Sequence, residues 1–310
     1  MIMVKNKIIV GARASLLSVS QANWVIKLLK RNSPQYSFYL KKIATRADKL
    51  KHRRHSDIGI FVKEIEEALL RGKIDLAVHS LKDLPCDIPA GLELAAVTKR
   101  LDPRDCIIFR DKLKTAQLKK GASIGTSSLR RRAQLLHWRP DLKIKELRGN
   151  LDTRIKKLIS GEFEAIVVAW AGLRRLGYRN LSVKPIAPRL MLPAPGQGAL
   201  GIESRSEDTI IKAIARKINH PQASICTACE RAFLKELGAG CRLPLGTLAE
   251  VRQGKVHLQI AVASLNGKRL IRLSDKAGLK EAEALGKRLA REVLRKGGRE
   301  ILNEAKGFKK

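Results

Sequence analysis

Residues 121–161 read GASIGTSSLRRRAQLLHWRPDLKIKELRGNLDTRIKKLISG, and residues 163–177 continue FEAIVVAWAGLRRLG. A short apolar run, a polar turn and a helix-spaced segment follow one another, and the succession then repeats twice. Apolar runs of strand length that alternate with helical periodicity define an α/β fold. Ala165–Ala169 is apolar throughout, as expected for a strand buried on both faces of a largely parallel sheet. Polar residues just beyond such strands converge in one crevice.

Working outward, residues 7–31, KIIVGARASLLSVSQANWVIKLLKR, give the same grammar: a strand with Arg13 at its carboxyl end, then a helix that Ser15 can cap. Ser37–Ile43 reads as a second strand, and the basic stretch Arg46–Ser56 as an exposed mobile loop. Phe61–Leu70 has helical spacing, with a stripe of Phe61, Ile65, Ala68 and Leu69; Gly72 stops it, and Asp75–Val78 begins a buried strand. LPAPGQGALGIESR at 192–205 reads as a crossover between two lobes, and its glycine spacing fits neither a dinucleotide fingerprint nor a phosphate-loop ATPase. After His220 the texture changes to a helix over Ala223–Leu237, a GAGCRLPLG turn that exposes Cys241, strands near Leu248–Val251, Lys255–Ala263 and Lys268–Leu273, and a final helix over Leu279–Lys296. That is a small α+β domain.

The 310 residues are too many for one small core. With 63 basic against 29 acidic side chains the formal net charge is +34, which suits nucleic acid, an anionic surface or an anionic metabolite. An aromatic content of 4% argues against base-stacking nucleic-acid modules. No apolar run reaches membrane-spanning length and no secretion signal is recognisable, so a cytoplasmic location without membrane attachment is the expectation. Five scattered cysteines do not make a disulfide scaffold. Cys226 and Cys229 have metal-like spacing, but no second close pair follows; they read as small buried residues on a helix, and no metal is expected.

Two helix starts carry the chemistry. In GTSSLRRR (125–132), Thr126 and Ser128 can cap or donate while Arg130 and Arg131 offer planar forks for carboxylates; Arg148 and Arg154 recur in LRGNLDTR (147–154). A phosphate site and a plain capped surface helix are the alternatives. Asp83, in VHSLKDLP beside Lys82, is an acid in basic surroundings. It can steady a transient cation, shuttle a proton, or serve as a structural cap. Cys241, between Gly240 and Arg242, reads as a nucleophile, an attachment point or an inert thiol.

Taken together, FVKEIEEALLRGKIDLAVHSLKDLP (61–85), DPRD (102–105), GTSSLRRR, LRGNLDTR, AGLRRLG (171–177), LPAPGQGALGIESR and GAGCRLPLG resemble the porphobilinogen deaminase, or hydroxymethylbilane synthase, family nearly end to end. The resemblance implies two periplasmic-binding-protein-like lobes with mainly parallel sheets, 1–99 with 200–217 and 100–199, plus a small C-terminal α+β domain, 218–310. It implies a dipyrromethane cofactor, bound covalently through Cys241, onto which four porphobilinogens are condensed with loss of ammonia before hydrolysis releases hydroxymethylbilane for haem biosynthesis. Asp83 would be the catalytic acid. Arg13, Ser15, Lys82, Thr126, Ser128, Arg130, Arg131, Arg148, Arg154, Arg175 and Gln197 match cofactor and substrate positions. The family pattern further implies a monomer whose product passes to uroporphyrinogen-III synthase. One stretch departs from it: TRADKLKHRRHSDIGIF (45–61) replaces a glycine-rich segment, leaving Asp48, Arg53 and Arg54 as candidate lid residues. A noncatalytic two-lobed anion binder would explain the arginines but not a covalent cofactor, and a nucleic-acid module would predict salt-sensitive binding without turnover.

Overall fold

A computed structural model describes residues 6–45, 62–110, 118–238 and 243–307. They form two compact units, Met1–Arg100 with Ala199–Ser224 and Leu101–Gly198 with Ile225–Lys310. In chain order the elements are β1 Lys7–Arg13, α1 Leu16–Asn32, β2 Ser37–Ile43, α2 Lys63–Leu70, β3 Leu76–Ser80, β4 Leu92–Val97, β5 Asp105–Phe109, β6 Ser123–Gly125, α3 Leu129–Trp138, β7 Lys143–Lys145, α4 Leu151–Ile159, β8 Ala165–Ala169, α5 Trp170–Arg175, β9 Ser182–Pro185, β10 Leu200–Arg205, α6 Thr209–Arg216, α7 Pro221–Glu236, β11 Leu245–Arg252, β12 Lys255–Ala263, β13 Leu270–Gly278, α8 Ala282–Val293 and α9 Arg299–Gly307.

The first sheet has the order β2-β1-β3-β10-β4 and the second β7-β6-β8-β5-β9. In the first, β1 pairs in parallel with β2 and β3, while β10 runs antiparallel to β3 and β4. The second repeats this, with β5 antiparallel between β8 and β9. Each sheet is therefore parallel except for one inserted strand, the mainly parallel arrangement expected of both lobes. Burial follows the pleat: Ile8, Val10, Leu76, Val78 and Ile202 join α1 in one core, while Ile65, Leu69 and Ala77 pack on the opposite face. In the second sheet Ile107 and Val167 face one core and Ile108, Ile166 and Val168 the other, so these strands are apolar throughout because both faces are covered.

The antiparallel sheet β11-β12-β13, packed against α8, is the α+β part near the C-terminus. Gly246 on β11 lies against the crossover: a Cβ there would sit 2.5 Å from the Leu192 carbonyl oxygen, so the approach tolerates only glycine. Several boundaries differ from expectation. Strand β13 runs Leu270–Gly278 rather than Lys268–Leu273, because it pairs along the full length of β12. The helix expected over Leu279–Lys296 does end there, the chain leaving helical geometry at Lys296 and Gly297 (φ +89°), but a further helix, α9, follows it. Cys226 and Cys229 are both buried on α7, and burial pushes the Cys229 thiol up to about 12.

Candidate active site

The second unit holds a buried ionic cluster around Asp105, the first residue of β5. Its carboxylate is fully buried and accepts from Arg130 Nη1 at 2.6 Å, Arg131 Nε at 3.1 Å, Arg131 Nη2 at 2.8 Å and Gln197 Nε2 at 3.0 Å. These residues also bond backbone: Arg130 Nη1 to Leu192 O, Arg131 Nη1 to Val167 O and Gln197 Nε2 to Pro103 O. Burial alone would raise the Asp105 carboxyl, but the two guanidiniums outweigh it and hold it well below the usual carboxylate range. Two cations on one anion leave the cluster a net positive charge in the interior. Arg130, Arg131 and Gln197 were read from sequence as direct ligand contacts; their side chains turn inward to Asp105, leaving Arg130 Nε and Nη2 outside these bonds. Asp105 itself was missed as a site residue, although DPRD was a signal, because nothing in its apolar strand reveals which cations lie beside it.

Above this cluster the corners behave as helix starts. Ser128 caps α3, its hydroxyl accepting Arg131 N, and buried Thr126 Oγ1 accepts Ser128 N at 3.3 Å. At the next corner Arg148 is exposed and bonds Glu146 Oε1 through Nε at 2.7 Å. Both partners face solvent, so a ligand carboxylate can take Glu146's place at little cost. Arg154, in the first turn of α4, donates from Nε to Gly149 O at 2.8 Å. Arg175 donates from Nη2 to Gly198 O at 2.9 Å, and burial pulls its guanidinium down to about 10, still charged at neutral pH.

In the first unit Ser15 caps α1, accepting Ser18 N at 3.3 Å, and half-buried Arg13 closes β1. Asp83 ends the single helical turn Leu81–Asp83 directly after β3; it is exposed, beside half-buried Lys82. The turn is anchored by Leu81 N on Ala199 O at 3.1 Å and by Ser80, whose hydroxyl exchanges hydrogen bonds with the Gln21 amide at 2.9 and 3.1 Å. Cys241 and the lid candidates Asp48, Arg53 and Arg54 lie outside the described residues. Among the described residues no group of three or more His, Cys, Asp or Glu is placed to hold a metal, and no helix is long and apolar enough to cross a membrane.

Two α/β lobes, each with a mainly parallel sheet and polar or cationic residues where its helices start, define the class of protein. A family model described as the porphobilinogen deaminase dipyrromethane cofactor binding domain matches residues 8–213, and one for the porphobilinogen deaminase C-terminal domain matches 224–295. The chain belongs to the porphobilinogen deaminase family. It is 46% identical over 296 residues to the porphobilinogen deaminase of Thermus thermophilus, covering 95% of this chain and 98% of that one. It is 43% identical over 311 residues to the enzyme of Listeria innocua, covering 98% and 100%. Among solved structures, the BenM effector-binding domain with benzoate is similar at 18% identity and a TM-score of 0.42, over 69% of this chain and 91% of that chain.

Proposed function

We propose that the family's reaction runs here on a dipyrromethane held by Cys241 through a thioether, with Asp83 as the carboxylate that balances charge at the reacting atom. Family membership carries the activity: the chain is a hydroxymethylbilane synthase, a transferase of tetrapyrrole and haem biosynthesis that joins four porphobilinogens head to tail with loss of ammonia. When bound, the cofactor supplies the primer whose pyrrole carbon is extended.

The donor set fits such a group. Dipyrromethane and each added porphobilinogen bring acetate and propionate side chains, and a ligand of that charge is held only where guanidiniums and helix-start N–H groups offset its desolvation. Thr126, Ser128, Arg148, Arg154 and Arg175 would hold these carboxylates in the second unit, and Arg13, Ser15 and Lys82 in the first. Arg130 and Arg131 add the net positive charge of the Asp105 cluster behind them, and Gln197 orients its carboxylate. Asp83 has an exposed carboxylate on an anchored turn. It accepts the substrate's pyrrole N–H, offsets the positive charge that develops as ammonia departs, and takes the proton lost after each coupling.

The observation that carries this reading is the pair of cation-bearing corners at Ser128 and Arg148 above a buried cluster of net positive charge. We extend it to residues 218–310 as a separate domain that presents Cys241, to Asp48, Arg53 and Arg54 as lid contacts, and to a cytoplasmic monomer whose product passes to uroporphyrinogen-III synthase. Intact mass is the test. The purified chain is expected to be heavier by one dipyrromethane and to gain discrete increments with limiting porphobilinogen, and Cys241→Ser is expected to carry no increment. An active, modified Cys241→Ser protein would refute the attachment.

A further inference from the structure

The first unit contains a second set of buried ionisable groups that the reaction as described does not use. His79 on β3, Glu203 on β10 and Glu66 on α2 are 4%, 0% and 9% exposed. His79 Nε2 meets Glu203 Oε2 at 3.0 Å. Glu203 Oε1 and Glu66 Oε1 are both buried with no hydrogen-bond donor among the described residues. The cluster therefore holds two carboxyl groups against one imidazole, with an acceptor too many.

The pleat explains why they meet. Ile8, Val10, Leu76, Val78, Leu200 and Ile202 face α1, so Arg13, Asp75, His79, Glu203 and Arg205 project toward the α2 side. Helix α2 packs on β1, β3, β4 and β10 through Ile65 and Leu69. On α2 itself Lys63 and Glu67 are exposed and Glu64 is half-buried. Arg205 pairs with both Asp75 and Asp208, Glu93 of β4 pairs with Lys212, and Arg13 stands at the end of β1. His79 and Glu203 are the groups whose charges bear on Glu66.

We propose that Glu66 is a positioning residue that works as a neutral acid: its proton cancels the second negative charge, supplies the missing donor, and completes a clamp on the strand end that presents Asp83. Ser80 and Gln21 hold that end from the α1 side; His79, Glu203 and Glu66 hold it from the α2 side. Burial first, and the Glu203 charge second, raise the Glu66 carboxyl to about 7, with His79 opposing. The sign follows. A raised folded value gives stability that is complete below the ordinary glutamate range and is lost as pH rises through about 7, so the clamp loosens on the alkaline side.

The link to turnover rests on the reading of Asp83 as the reacting-site carboxylate. Holoenzyme labelled with carboxyl-¹³C glutamate is titrated, and kcat and KM for porphobilinogen are measured from about pH 6 to 9 for the parent and Glu66→Gln. The expected result is one glutamate carboxyl with a midpoint near 7 in the parent and missing from Glu66→Gln. The ratio of variant to parent kcat is expected to rise about threefold or more across that range while the KM ratio stays level, because the amide cannot ionise. A parent in which no glutamate titrates above about pH 6 overturns the proposal, as does a level kcat ratio. If Glu66→Gln does not fold, Glu66→Met takes its place, and the labelled parent alone still decides whether the proton is there. An active Asp83→Ala enzyme would sink the Asp83 reading without touching the Glu66 titration, so the two failures are distinguishable.

Discussion

Replacing Asp105 by Asn tests the buried cluster without changing its shape. The native carboxylate has no exposure and accepts four N–H bonds from Arg130, Arg131 and Gln197. The amide removes the only negative charge named in that cluster and turns two hydrogens toward donors. Breaking a buried ion pair by removing one partner costs about 3–5 kcal/mol. In a unit of this size each kcal/mol moves the midpoint by about 2–4 °C, so a fall of about 6–20 °C is expected in the corresponding melting transition. Thermal melts by circular dichroism are to be run on Asp105→Asn, Arg131→Gln and the double variant. The double variant is expected to be more stable than the two single losses sum to, by about 2 kcal/mol, because each single change already removes the shared Asp105–Arg131 interaction, which the double variant loses only once. Acid titration adds a check. The folded carboxyl is held below its unfolded value near 4, so its contribution is complete above that value and is lost as pH falls through the folded one. The gap between parent and Asp105→Asn is therefore expected to be constant from about pH 8 to 5 and to narrow below about 4. A variant melting within about 2 °C of the parent, or a gap that widens in acid, would refute the reasoning.

Asp83→Ala is expected to lower kcat about 10²- to 10³-fold, as for loss of a group aimed at developing charge, with a melt within about 0.5 kcal/mol of the parent because the side chain is exposed; single-turnover kinetics and melts decide it. Arg148→Gln and Arg154→Gln are expected to fold normally and stall elongation, seen by intact mass as accumulated partly extended enzyme, since the Arg148 pair with Glu146 is solvent-exposed and worth about 0–1 kcal/mol. Turnover without such accumulation would exclude the role. Glu230 is fully buried on α7 and accepts Gly196 N and Ala249 N, each at 2.7 Å, so Glu230→Gln is expected to cost about 1.5–3 kcal/mol by denaturant titration.

Local grammar was legible where the chain is its own best guide. Ala165–Ala169 is the strand its composition announces, and Ser15 and Ser128 cap the helices that follow them. Non-local pairing was less legible. Strands Leu92–Val97, Asp105–Phe109 and Ser182–Pro185 were not singled out, since DCIIF is short and apolar and gains its strand character from β8 and β9 on either side. Arg130 and Arg131 show the same limit at the site. Their spacing gives two cations at a helix start, but whether these face a ligand or the interior depends on an acid more than twenty residues earlier in the chain.

The topology supplies what the local sequence lacks. In each lobe the candidate ligand residues follow the carboxyl ends of parallel strands: Arg13 and Ser15 after β1, Lys82 and Asp83 after β3, Thr126 and Ser128 after β6, Arg148 after β7, and Arg175 beyond β8. Strand β5 runs the other way, and its first residue, Asp105, pairs with Ala169, the last residue of β8. An acid at the start of an antiparallel strand thus reaches the same edge as cations that follow parallel ones. The opposite edge of the first sheet is different in kind. There Asp75 accepts Ile9 N at 2.8 Å, and Arg205 meets Asp75, Asp208 and the carbonyls of Leu69 and Ile74. Those charges are matched by protein groups and tie elements together. At the carboxyl edge of the first sheet Asp83 instead faces solvent, and at that of the second, taken by itself, the Asp105 cluster retains a net positive charge, so in neither unit are the charges there fully matched by protein groups.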